Sequence, residues 1–210
     1  MTSTPYSYAA DDPVNGEDIS GLWTEGLCIH LNLGGSASAV ITGGAGGSVC
    51  LVEANGNKQV GVVFTGGAGF SLSINGTKWK NILTNPSAED VGSVFGLSGG
   101  VTLTYEISNA QSVTDLKGRF HENTATLGEQ LGIGGAYFTG CSRNGPVTGM
   151  SLGFGLVYGA SLGSLTTWSK VVLEKGLAAQ AIIATINTFT QNPANLLLRS
   201  TLRGLISAVT

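Results

Sequence analysis

Residues 149–163, GMSLGFGLVYGASLG, alternate almost without a break. The even positions are Met150, Leu152, Phe154, Leu156, Tyr158, Ala160 and Leu162; the odd ones are Gly or Ser, except Val157. Successive side chains of a strand point to opposite faces, so this pattern builds one oily face and one nearly bare face. The same period recurs elsewhere. Leu27, Ile29, Leu31 and Leu33 stand against Cys28, His30 and Asn32. Leu97, Val101, Leu103, Tyr105 and Ile107 stand against Ser98, Gly100, Thr102, Thr104 and Glu106, and Phe70, Leu72 and Ile74 share a face. Strict alternation marks half-buried strands. Turn signals fall between these runs: ANGNK at 54–58, NGT at 75–77, NP at 85–86 and RNGP at 143–146. Together they predict about eight strands between residues 21 and 170.

The uncharged run 144–169 also holds Gly155, Gly159 and Gly163 at GxxxGxxxG spacing, a helix-packing pattern of membranes. So many glycines make a poor helix, and the neighbouring runs alternate too, so the strand reading is preferred. After residue 170 the period changes. VVLEKGLAAQAIIATINTF reads as a helix over about 171–189, and QNPANLLLRSTLRGLISAV as a second. Asn192 suits an N-cap and Pro193 the first helical position. Leu198, Leu202, Leu205, Ile206 and Val209 share one face, with Arg199 and Arg203 together on the other side.

The expected fold is mainly β with a C-terminal helical hairpin, an α+β chain. A Gly-rich antiparallel meander closes into a β-barrel of about eight strands, which removes exposed edges. Residues 1–20, polar and acidic with two prolines, form an arm; 21–170 form the barrel; 171–210 form two amphipathic helices. Local repeats, TGGAG at 42–46 and 65–69 and DVGSVF at 90–95 beside DLKGRF at 115–120, are compatible with a duplicated hairpin.

Composition sharpens the picture. Only 11% of the 210 residues are charged, against about 25% in an ordinary soluble domain. Gly, Ser, Thr and Asn replace the missing charge, which coats a monomer poorly and favours a homo-oligomer. Net charge is −3 with no basic cluster, which excludes nucleic acid as a partner. The residues before Gly21 have no basic and apolar segments of a secretory signal, so the expectation is a cytoplasmic start, export by another route, or a signal already removed. The odd set Cys28, Cys50 and Cys141, without CxxC, is read first as free thiols and second as one disulfide plus one thiol. Only His30 and His121 could join them, at a spacing that fits no zinc finger, so neither metal nor cofactor is expected.

Candidate chemistry is sparse. Cys28 and His30 share a strand face at i, i+2, as a nucleophile and base would, with Glu25 near in sequence. DLKGRFHEN gathers Asp115, Arg119, His121 and Glu122, an acid/base or anion-binding loop, or a solvated loop held by an Asp–Arg pair. GGAGG at 43–47 has the glycines of a phosphate loop but no following GK[ST]. Gly21-Leu22-Trp23-Thr24 resembles the opening of lipocalin and avidin barrels. The resemblance covers four residues; the Gly-rich strands and helical tail depart from those families. It implies a barrel-end or ligand-contacting role for Trp23. Trp79 and Trp168 are girdle or packing candidates.

Three functions follow. In the first, the apolar face turns outward to lipid through Met150, Leu152, Phe154, Leu156, Tyr158 and Leu162, and the chain is a non-enzymatic membrane-active protein, a lipid binder or a toxin-like oligomeric pore-former. In the second, that face turns inward and a soluble calyx binds, or acts on, a small apolar ligand near Trp23, His30 and Tyr137. The third is a self-assembling structural protein.

Overall fold

The alternating stretches fold as six antiparallel strands, and the change of period marks a C-terminal two-helix unit, in a computed structural model that describes residues 23–38, 41–54, 59–74 and 97–209. The expected arm at 1–20, Trp79 and the DVGSVF repeat lie outside the described residues. The strands are β1 (Thr24–Ser38), β2 (Ile41–Ala54), β3 (Gln59–Ile74), β4 (Leu97–Ser108), β5 (Gly118–Ser142) and β6 (Gly145–Glu174). A 3₁₀ turn spans Val113–Leu116, and helices α1 (Leu177–Thr190) and α2 (Pro193–Val209) end the chain. No helix among the described residues is long and apolar enough to cross a membrane.

Pairing runs β3-β2-β1-β4-β6-β5, and β3 also pairs with β6. The first half of β6 lies beside β4, with Gly99 opposite Tyr158 and Ser108 opposite Gly149. Its second half lies beside β3, with Ile74 opposite Ala160 and Val60 opposite Glu174. β5 and β6 form one long hairpin through the turn at Arg143 and Asn144, as RNGP predicts. That hairpin is bent. Gln130 and Gly159, with φ of 94° and 92°, lie two rungs apart in it, Gln130 opposite Val157 and Gly159 opposite Gly128. Phe120 and Phe138 pack edge to face with ring centroids 5.7 Å apart. A straight strand would hold residues at that spacing about 60 Å apart, so the two halves of β5 turn back toward each other.

The alternation sorts the faces in one direction. Thr102, Thr104, Thr124, Thr126, Ser151, Ser71 and Ser73 are buried, while Ile29, Leu31, Val101, Leu103, Leu152, Phe154 and Leu156 are exposed. The bare face is therefore the inner one. Its glycines answer to space: a Cβ on Gly155 would lie 2.7 Å from the Thr102 Cα, closer than carbon atoms pack. The two TGGAG copies take different places, at the start of β2 and in the middle of β3. They lie within β2 and β3 and pair with one another, Gly44 opposite Gly69 and Gly46 opposite Gly67.

Two apolar clusters close one end of the sheet. Inside, Val52, Val63, Val113, Leu116, Phe120, Phe138 and Val147 pack around the 3₁₀ turn, which fills the interior there. Outside, α1 and α2 lay Ile182, Ile186, Leu202 and Ile206 over Leu27, Val60, Tyr105 and Ile107. The first helix begins later than its spacing suggests. Val171 and Val172 pair with Val63 and Val62 on β3, so β-branched residues prolong the strand to Glu174, and Gly176 at φ 64° makes the break. The second helix starts where Asn192 and Pro193 place it, with the Asn192 carbonyl accepting from the Asn195 and Leu196 amides. Arg199 and Arg203 do not face away from the sheet: both donate to the Glu25 carboxylate on β1.

Candidate functional site

Period two carries Cys28 and His30 inward from β1, Cys50 from β2, Glu106 from β4 and Glu122 from β5. Cys28 stands directly opposite Cys50, and the two form a disulfide, so the free-thiol expectation holds only for exposed Cys141. Glu106 reaches the bridge from the other side: its Oε2 lies 3.6 Å from the Cys28 Sγ and 4.0 Å from the Cys50 Sγ. The His30 Nε2 is also 4.0 Å from that oxygen, too far for a hydrogen bond. His30 is 6% exposed, and its Nε2 has no hydrogen-bond partner among the described residues. His30, Glu106 and Glu122 line one small cavity with Ser48, Thr65 and Thr167; no Lys or Arg is among the described residues that line it. The cavity measures about 30 Å³, room for roughly one water.

The predicted site residues are scattered by the same alternation. Cys28 is bonded to Cys50 and is no nucleophile in this state. His121 is exposed on the outer face, 3.2 Å from the Ser164 hydroxyl, while its neighbour Glu122 points inward. Glu25 lies under the helices, away from His30, where the Tyr105 hydroxyl donates to it at 2.5 Å. Trp23 packs beside the helical cluster, with the Arg203 guanidinium 6.0 Å from its ring centre. Tyr137 shares the outer side of β5 with Leu131 and Ile133. Trp23, His30 and Tyr137 thus form no common pocket. Asp115 is held by Ser112 and Asn144 rather than by Arg119. Burial pushes its carboxyl up, but hydrogen bonds from Asn144, Ser112 and Ser142 outweigh that and hold it below the usual carboxylate range. The GGAGG run is part of β2, not a loop around a phosphate.

The outer face carries the other candidate surface. Of the expected lipid-facing residues, Met150 is half-buried against the helical cluster. Leu152, Phe154, Leu156, Tyr158 and Leu162 are exposed, Phe154 and Leu156 by 63% and 66%. Phe70, Leu131, Ile133 and Trp168 extend this face. It is interrupted along the first half of β5, where Arg119, His121 and Asn123 point outward. An outer groove of about 380 Å³ opens where the two halves of β5 approach, between Leu72, Leu127, Ile133, Leu152 and Leu162.

Sequence reasoning missed Glu106 and Cys50 as neighbours of His30. One signal was present: Glu106 is the lone acid on a face of Thr, Ser and Gly. Compared with known proteins, the chain matches no family model, no curated protein and no solved structure.

Proposed function

We propose that this chain is a non-enzymatic, membrane-active β-barrel protein whose outer apolar face lies against lipid and which works as a homo-oligomer. On this reading the ring of pairings is a closed barrel. The bent β5 and β6 each count as two segments, which brings the total to about eight. One observation carries the proposal: the large apolar side chains point out of the sheet and the hydroxyls point in, the arrangement of strands that cross a bilayer and the reverse of a water-soluble barrel. The exposed apolar residues fall on both segments of β6, Leu152, Phe154, Leu156 and Tyr158 before the bend and Leu162 and Trp168 after it. A water-exposed patch of this extent is foreign to soluble monomers. The polar strip of Arg119, His121 and Asn123 favours a second copy on that flank rather than lipid all round. The 3₁₀ turn and its apolar cluster occupy one end of the interior, so on this reading permeation belongs to several copies and not to one chain.

Flotation with phospholipid vesicles, zwitterionic and anionic, tests this. The full chain is expected to float with at least one type. Phe154→Asp with Leu156→Asp is expected to abolish flotation while the β-sheet circular dichroism stays unchanged, since both side chains are exposed. Sedimentation of the unmodified chain away from both vesicle types overturns the reading. Release of an encapsulated dye then separates pore formation from simple binding. A second reading, an apolar small-molecule site, is favoured only by the outer groove, whose 380 Å³ falls within the usual ligand range. A chain that does not float but carries a small apolar molecule, detected by mass spectrometry, would replace the first reading with this one.

A further inference from the structure

We propose that Cys28, Cys50, His30 and Glu106 form a second state of the inner cluster: a four-ligand metal centre that takes zinc once the disulfide is opened. Each residue offers one ligand atom, and these atoms all lie within 4.8 Å of one another. Tetrahedral zinc with sulfur, nitrogen and oxygen ligands needs ligand atoms about 3.3–3.8 Å apart. The Glu106 oxygen is already 3.6 and 4.0 Å from the two sulfurs and 4.0 Å from the His30 Nε2. Reduction frees the sulfurs to part, and no strand has to move far.

A second observation points to a ligand independently of the cysteines. The His30 Nε2 is buried, has no hydrogen-bond partner among the described residues and lies 4.0 Å from the Glu106 oxygen. Buried imidazole nitrogens are ordinarily satisfied. The cavity beside it holds Glu106 and Glu122, with no Lys or Arg among the described residues that line it. A metal cation there would meet carboxyl oxygens and no competing cationic side chain. Two thiolates with an imidazole and a carboxylate favour zinc over magnesium or calcium, which prefer oxygen ligands.

The step balances as follows. A dithiol reductant gives the Cys28–Cys50 bridge two electrons and two protons and closes its own disulfide, leaving two thiols. Zinc displaces to solvent both thiol protons and the proton that burial favours on the Glu106 carboxyl. Neutral His30 supplies its Nε2 lone pair and Glu106 one carboxylate oxygen. The inference stands apart from the lipid reading, because all four ligands face inward.

Cobalt(II) is the probe, with Cys141→Ser as background to remove the exposed thiol. The full chain is reduced with a phosphine, which becomes its oxide with oxygen from water, and titrated with cobalt. One equivalent per chain is expected to give near-ultraviolet thiolate-to-cobalt absorption and the visible bands of a tetrahedral site, reversed by zinc. The unreduced chain is expected to give neither. His30→Gln and Glu106→Gln are each expected to weaken binding by at least about tenfold. A reduced, folded chain without these bands overturns the proposal, as do bands that persist unweakened in both variants. Should reduction alone unfold the sheet, zinc present during reduction is expected to preserve its circular dichroism; loss of that signal despite zinc also overturns it.

Discussion

At the scale of the residue, the inner glycines and hydroxyls matter for what they leave out. Gly155 packs against the Thr102 backbone of β4, and no flexible side chain is there to give way. Gly66, on β3, faces open space. Gly155→Ala is therefore expected to destabilise by about 1–3 kcal/mol, the usual cost of overpacking. Gly66→Ala should stay within about 0.5 kcal/mol of the parent. Urea denaturation of the two variants checks this; equal midpoints would remove the argument that crowding selects the bare face. That glycine would alternate with large residues was legible at a glance. That His30 and Glu106 would meet was not, because they lie on strands β1 and β4 whose register no local pattern sets: Gly26, not His30, stands opposite Glu106.

At the scale of the element, α2 is held to β1 by charge as well as by oil. The Glu25 side chain is 4% exposed, whereas those of Arg199 and Arg203 are 29% and 25% exposed. Removing the acid leaves two guanidinium groups that can still reach water. Removing both arginines leaves a buried carboxylate that has lost its cationic partners, though the Tyr105 hydroxyl still donates to it. The Arg199→Ala, Arg203→Ala double variant is thus expected to cost about 3–5 kcal/mol, and Glu25→Gln less, about 1–3 kcal/mol. Urea midpoints give the order; a double variant no weaker than Glu25→Gln would mean that the apolar face alone docks the helix. The helices themselves were legible from Pro193 and from the spacing of Leu202 and Ile206. Their boundary was not, because Val171 and Val172 fit a helical period on paper and a β-ladder in space. The partner of the arginines was not legible for a related reason: a helical period puts Arg199 and Arg203 on one side but says nothing of an acid 174 residues away.

At the scale of the whole molecule, the period-two pattern was enough to announce the sheet, because away from the helices the strands are buried on one side only. It could not tell inside from outside, since alternation is symmetric between the two. Leu152, Phe154 and Leu156 would read identically in a barrel turned the other way. Shape decides the matter: the curved interior admits Gly, Ser and Thr, and the large residues are left outside. The bent β5–β6 hairpin has one more consequence, which concerns time. Its pairing begins at Ser142 and Gly145, three residues apart, and can zip outward from that turn. The β3–β6 pairs join Ile74 to Ala160 and Val60 to Glu174, 86 and 114 residues apart. Closing so long a loop loses more chain entropy before any contact repays it. The hairpin is therefore expected to gain amide protection early in refolding and the β3–β6 seam last, an order that pulsed hydrogen exchange reads directly. Simultaneous protection of both would contradict it. Until that seam closes, β3 and β6 each present an unpaired, charge-poor edge, and in that interval the chain is open to pairing with another copy of itself.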